Sequence, residues 1–185
     1  MRKHIFLIVI LVAFFWQCTE KTDPFLITKG QVGYLTKETG VEELDSIFAN
    51  DSIYEDGGIK GFGYASTVRY LIYEKGGKHL MTISPSKPSD SIRTIENIQI
   101  YDERYKTGKG VNVNSTFKTI KDNHKISKIV NTMNNVLIFV NEIDAYFTID
   151  KKELPADLRY NTSQKIEAVQ IPDNAKIKYF MIGWE

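Results

Sequence analysis

An α+β fold, antiparallel and β-rich, with two pseudo-symmetric helix–strand–hairpin–strand repeats, is predicted by three features of this 185-residue sequence. Ten Tyr and ten Phe stand among many Ile and Val, residues that suit a pleated, half-buried surface. Short apolar runs alternate with turn residues, and two stretches carry helical spacing: Val41, Leu44 and Phe48, then Phe117 and Ile120. Several runs also recur at a constant distance. Leu71-Ile72-Tyr73 stands 66 positions before Leu137-Ile138-Phe139, and Thr82-Ile83 stands 66 before Thr148-Ile149. Ile95 to Asp102 (IENIQIYD) stands 71 before Ile166 to Asp173 (IEAVQIPD), with five of eight letters shared.

These features divide the chain into an N-terminal signal over 1–17, a polar tether over 18–24 and one domain over 25–185. The first repeat half covers 25–104 and the second covers 105–185. Composition is that of an ordinary globular protein, 42% hydrophobic, 25% charged and 12% aromatic. The formal net charge is +1, and loss of Arg2 and Lys3 with the signal leaves 22 basic groups against 23 acidic ones. That balance argues against a nucleic-acid partner.

In the N-terminal segment, Arg2, Lys3 and His4 precede an apolar run from Ile5 to Trp16. Twelve helical residues span about 18 Å, short of a bilayer core of about 30 Å, so the run reads as the apolar region of a signal peptide. No small-x-small site follows. Gln17 and Cys18 follow instead, and Cys18 is the single cysteine of the chain. The arrangement resembles a bacterial lipoprotein signal, in which that cysteine carries the lipid, although Trp16 and Gln17 stand where small residues are usual. The resemblance implies lipidation at Cys18 and attachment to a membrane. The same resemblance implies the outer rather than the inner membrane, because Thr19 and not Asp follows the cysteine. One cysteine also leaves no intramolecular disulfide.

Phe25 to Thr28 reads as a first strand, with Gly30 and Gly33 marking the loop after it. Thr39-Gly40-Val41-Glu42 fits a capping box ahead of a short helix. Ile53-Tyr54 starts a strand. Val68 to Glu74 and His79 to Ser84 form a hairpin around Gly76-Gly77, and Ile95 to Tyr101 is a further strand. Tyr105 to Ile120 repeats the loop, cap and helix of the first half. Val136 to Val140, Ala145 to Ile149, Ile166 to Ile171 and Ala175 to Trp184 read as the strands of the second half.

Residues able to carry chemistry are sparse. His79 and His124 have no second histidine nearby in sequence, and both are expected at the surface. No nucleophile elbow, zinc-protease helix or phosphate loop is present. Neither a metal nor an organic cofactor is indicated. The Gly-rich stretch is the best candidate binding element: Gly57, Gly58, Ile59, Gly61, Phe62, Gly63 and Tyr64 place aromatic and apolar side chains among glycines. A filler role between the halves is the competing reading.

The order Gly33-x-Leu35-Thr36-x-x-Thr39, the hairpin from Val68 to Ile83, Gln99-Ile100, Gly110-Val111-x-Val113-x-x-Thr116-Phe117 and Lys178…Trp184 resembles the sigma-E-regulated envelope lipoprotein family, a domain of unknown function. Asn114 departs from the Gly expected there. A fainter likeness, confined to the Gly…Thr helix entry, is to small outer-membrane assembly lipoproteins and β-lactamase-inhibitor-like modules. The resemblance implies a lipid-anchored envelope lipoprotein of the outer membrane and no catalytic residues. The expected function is therefore a non-catalytic binding, assembly or stress-related module, with an envelope protein as partner. A hydrolase of envelope polymers and an inhibitor or immunity-type protein remain as alternatives.

Overall fold

The structure, a computed structural model, describes residues 23–57, 68–87, 93–160 and 163–184. Over these residues the protein is mixed α+β, mostly antiparallel sheet with few and short helices. The first elements are β1 (Leu26–Thr28), β2 (Gln31–Val32) and β3 (Leu35–Thr36), a tight meander. Gly30 and Gly33 make its turns with φ of 71° and 57°. A Cβ at Gly33 would run into the Pro24 carbonyl, so only glycine fits there. A 3-10 turn over Val41–Glu43 leads into α1 (Leu44–Ile47). Then come β4 (Ser52–Asp56), β5 (Arg69–Tyr73), β6 (His79–Pro85) and β7 (Ile95–Ile100). The second half holds β8 (Lys106–Thr107), α2 (Phe117–Asn123), β9 (Lys128–Asn131), β10 (Asn135–Val140), β11 (Ala145–Asp150), α3 (Ala156–Arg159) and β12 (Ile177–Gly183).

The small strands form one sheet in the order β3-β2-β1-β8, with β1 and β8 parallel. The others form an antiparallel sheet of eight strands in the order β4-β5-β6-β7-β12-β11-β10-β9. One row of cross-strand partners runs through all eight strands: Ile53, Ile72, Met81, Ile100, Phe180, Phe147, Ile138 and Ile129. Every member is apolar, and all but the two at the edges are fully buried. The period of two along each strand thus becomes one continuous apolar face. Ile27, Val32 and Leu35 of the small sheet, with Leu44, Phe48, Phe117 and Ile120 of the helices, belong to the same core. They cover that face as a second layer.

Positions 66 apart pair alike in the two hairpins: Tyr70 opposes Ile83 as Val136 opposes Ile149. Positions 76 apart behave alike at the helix entries. Thr39 Oγ1 accepts from Thr36 N–H at 2.9 Å, and Ser115 Oγ accepts from Asn112 N–H at 3.0 Å. Val41 N–H donates to Arg93 O, and Phe117 N–H donates to Ala175 O, each at 2.9 Å.

Three expectations are corrected. Ile166 to Ile171 is not a strand; it contains a 3-10 turn over Ala168–Gln170, because the Gln170 side chain returns to Glu167 N–H at 2.8 Å. The place beside β7 is taken by β12. The first helix is capped one residue later than the sequence suggests. Gly40 is the cap, and Glu43 rather than Glu42 accepts from its N–H at 2.8 Å, since Thr39 is engaged with Thr36. His124 is buried, for reasons given below.

Phe180 lies at the centre of the apolar row against Phe147, ring centroids 4.6 Å apart. Phe180→Ala should lower unfolding stability by about 3–5 kcal/mol through lost transfer and a residual cavity. Urea denaturation of the full chain measures this, and a loss below about 1 kcal/mol would contradict the packing described.

Candidate functional site

The second face of the large sheet has its own row, one residue out of step with the core row: Tyr54, Leu71, Thr82, Gln99, Met181, Tyr146, Phe139 and Lys128. Most members are half-buried, Thr82 is buried, and Tyr54 and Lys128 at the two edges are exposed. Aromatic side chains on this face stack with one another. Phe139 and Tyr146 lie 5.5 Å apart, and His79 sits between Tyr73 at 4.5 Å and Tyr101 at 3.9 Å. The half-buried His79 donates to or accepts from Thr82 Oγ1 through Nε2 at 3.1 Å, and burial lowers its imidazole pKa below the ordinary value.

At one end of this face a cleft of about 580 Å³ opens between the β10–β11 turn and the loops of the small sheet. Its walls include Phe139, Tyr146, Asn97, Asp144, Trp184 and Lys37. Asp144 holds the turn in place. It adopts φ 50°, a conformation aspartate tolerates, while Oδ2 accepts from Gly30 N–H at 3.0 Å and its carbonyl accepts from Gly183 N–H at 2.9 Å. Gly183 lies close to the Tyr146 ring, where a Cβ would make ordinary contact. Trp184 is 5% exposed, and its buried Nε1–H has no hydrogen-bond partner. An orphaned buried donor costs about 1–3 kcal/mol. The lining is mixed: the rings of Phe139, Tyr146 and Trp184 stand among Lys29, Lys37, Glu96 and Asp144, so aromatic and charged groups of both signs share the walls.

Two buried polar groups stand apart from the cleft. His124 caps the end of α2, where its N–H donates to Ile120 O at 2.8 Å. Its Nδ1 contacts Glu142 Oε1, and its Nε2 lies 3.0 Å from Thr107 Oγ1. The bond to His124 holds the Glu142 carboxyl below its ordinary pKa, with Lys109 adding to it. A hydroxyl, an imidazole and a carboxylate in line are the parts of an activated nucleophile. Here the Thr107 oxygen accepts from Val111 N–H at 3.2 Å and Lys109 N–H at 3.3 Å, and the residue is 1% exposed. The line therefore ties the 105–111 loop, the end of α2 and the 141–143 turn together, and no substrate reaches its hydroxyl. Burial follows from this network, which neighbouring residues in sequence do not reveal.

Asp102 has no exposed surface. Its carboxylate takes Arg104 Nε at 3.0 Å, Arg104 Nη2 at 2.6 Å, Arg104 N–H at 2.9 Å and Lys78 Nζ at 3.2 Å. Burial alone would raise its pKa, but the hydrogen bonds from Arg104 and Lys78 outweigh it and hold the carboxyl below the ordinary value. Arg104 also bonds Glu74 at 2.8 Å and lies over the Phe25 ring.

Of the residues singled out from sequence, Gly57 is exposed just after β4. Gly58, Ile59, Gly61, Phe62, Gly63, Tyr64, Cys18 and the 1–17 signal lie outside the described residues. Among the described residues no three His, Asp or Glu side chains stand together as a metal site, and no helix is long and apolar enough to cross a membrane. The cleft itself was not legible in sequence. Its walls come from five separated segments, and the one local signal was the aromatic residues of β10 and β11 with Trp184 after β12.

No protein-family model matches the chain, and no curated protein matches it. Among solved structures it is similar to the crystal structure of the uncharacterized protein yfeY from Escherichia coli. The TM-score is 0.56 at 15% identity, covering 88% of this chain and 100% of that one. At this identity the likeness shows the fold alone.

Asp102 sets a pH prediction. Its folded pKa is depressed, so its contribution to stability is complete above the unfolded value of about 4 and is lost as pH falls through the folded value. Asp102→Asn should be less stable at pH 7 by about 1–3 kcal/mol and should lose less further stability on acidification. Urea titrations of both proteins at pH 7 and pH 3 test this, and parallel acid dependence would refute it.

Proposed function

We propose that this chain is a lipid-anchored bacterial envelope lipoprotein of the sigma-E-regulated kind, and that it binds rather than catalyses. The observation that carries the binding reading is the cleft at the end of this sheet face, where Phe139, Tyr146 and Trp184 stand among Lys29, Lys37, Glu96 and Asp144. Burial of the Thr107 hydroxyl supports the non-catalytic part, since the one hydroxyl–histidine–carboxylate line in the described residues is closed off by its own loop. Attachment rests on the apolar run ending at Cys18. Several acyl chains there would give lasting membrane attachment. An envelope protein is the expected partner, and the stretch from Gly57 to Tyr64 remains a second candidate contact element.

The chain is further read as an internal duplication with pseudo-twofold symmetry. In support, residues before 105 supply β4 to β7, and residues after 105 supply the other four strands in reversed order. Hairpin registers 66 apart and helix entries 76 apart support the same reading. The partner of β7 under this symmetry is β12.

Two experiments test these proposals. Metabolic labelling with a palmitate analogue should mark the wild type and not Cys18→Ala, and equal labelling of both would exclude lipidation. For binding, a photo-reactive residue at Tyr146 of the full chain in cells should crosslink a discrete partner. The crosslink should vanish when Gly183→Trp fills the cleft. A crosslink unchanged by Gly183→Trp would place recognition elsewhere, and a crosslink at Phe62 alone would move it to the Gly-rich stretch.

A further inference from the structure

The geometry points to a second binding site, an anion site for a phosphate group, at the opposite end of the β10–β11 hairpin from the cleft. A cavity of about 650 Å³ lies there, lined by Lys151, Lys152, Arg159 and Lys178 with one carboxylate, Asp150. The carboxylate is already matched. Asp150 Oδ2 takes Lys178 Nζ at 2.9 Å, and Oδ1 takes Lys152 N–H at 3.0 Å. Lys178 also reaches Asn135 Oδ1 at 3.3 Å. Arg159 Nε donates to the neutral Leu154 carbonyl at 2.7 Å. Among the described residues, Lys151, Lys152 and Arg159 have no ion-pair partner, so the lining sets four cationic side chains against one carboxylate.

Lys151 is the decisive residue. It is 4% exposed, and its Nζ reaches neither water nor an acceptor. Its backbone is fixed, with N–H donating to Asn134 O at 3.0 Å, and the residue lines the cavity. A buried ammonium without a counter-charge is costly, and an anion in the cavity supplies the missing acceptor after a small rotation of the side chain. Phosphate fits better than a single carboxylate. It offers several acceptor oxygens and up to two charges to a guanidinium fork and two ammonium groups. The volume exceeds that of phosphate alone, and the exposed Tyr160 and Met133 at the rim suit an attached organic body. That body is either a small soluble molecule or a lipid head group, and the two share the phosphate chemistry that Lys151 and Arg159 would read.

The test uses the full chain in detergent, with isothermal titration calorimetry at constant ionic strength. Inorganic phosphate and the short-chain lipids dihexanoyl phosphatidylglycerol and dihexanoyl phosphatidylcholine serve as probes. Saturable binding of phosphate is expected, weakened about tenfold or more in Lys151→Met and in Arg159→Gln. Arg159 is exposed, so Arg159→Gln should fold normally, and Lys151→Met should raise the thermal midpoint without phosphate because it removes the unpaired charge. Phosphatidylglycerol binding above that of phosphate would assign a lipid head group, and the reverse order a soluble phosphate compound. Absence of binding by every probe, or equal binding by the wild type and both variants, would overturn the site. The outcome is independent of the cleft, because Gly183→Trp leaves these residues untouched.

Discussion

The antiparallel pairing of β7 with β12 is the constraint on which the rest of the structure depends. Four partner pairs, from Ile100 opposite Phe180 to Asn97 opposite Gly183, join strands separated by some 80 residues. Ile98, Ile100, Phe180 and Ile182 at this seam are essentially inaccessible. Closing so long a loop costs entropy, and burial of these side chains with their ladder hydrogen bonds offsets that cost. Without the seam, each set of four strands would present one more open edge and a split apolar face. The edges that remain carry charge: Glu55 and Asp56 on β4, and Lys128 on β9. Charged edge strands resist pairing with other chains.

Attachment of the small sheet relies on buried polar contacts as well as apolar ones. Thr107 in β8 is held by His124 and by two backbone amides, and β8 in turn pairs with β1. Asp102 performs a comparable task at the start of the same connection, anchoring Arg104 against Glu74 and Phe25. Both groups satisfy their hydrogen-bonding capacity before burial, which is why a charge and an imidazole are tolerated beneath the surface. Trp184 Nε1 and Lys151 Nζ are two contrasting cases, each buried without a partner in a residue that lines a cavity.

Those two orphans sit at opposite ends of one hairpin. The turn end of β10–β11 borders the aromatic cleft, and its open end borders the basic cavity. The open face between them carries Leu137, Thr148 and Tyr179 in register. One surface thus has an end where aromatic rings stand among charges of both signs and an end rich in cations.

Sequence alone determined what depends on neighbouring residues. Alternation placed both hairpins, the paired glycines placed the turn at Gly76 and Gly77 (φ 114° and 90°), and helical spacing placed Leu44, Phe48, Phe117 and Ile120 in the core. The 66-residue spacing anticipated the common register of the hairpins. Tertiary structure decided whatever required choosing between similar segments or meeting distant ones. Ile166 to Ile171 shares four of its six letters with β7, yet it closes a local turn held by a side-chain bond within it, and the ladder beside β7 is filled by β12 over four partner pairs. His124 became a buried tie only because Glu142 and Thr107, 18 and 17 residues away, meet it in space. The sparse isolated bridge of each helix entry, the strand at Lys128–Asn131 and both cavities arose the same way. Short-range order is written in periodicity and turn chemistry, whereas long-range pairing is a competition in burial that no single stretch encodes.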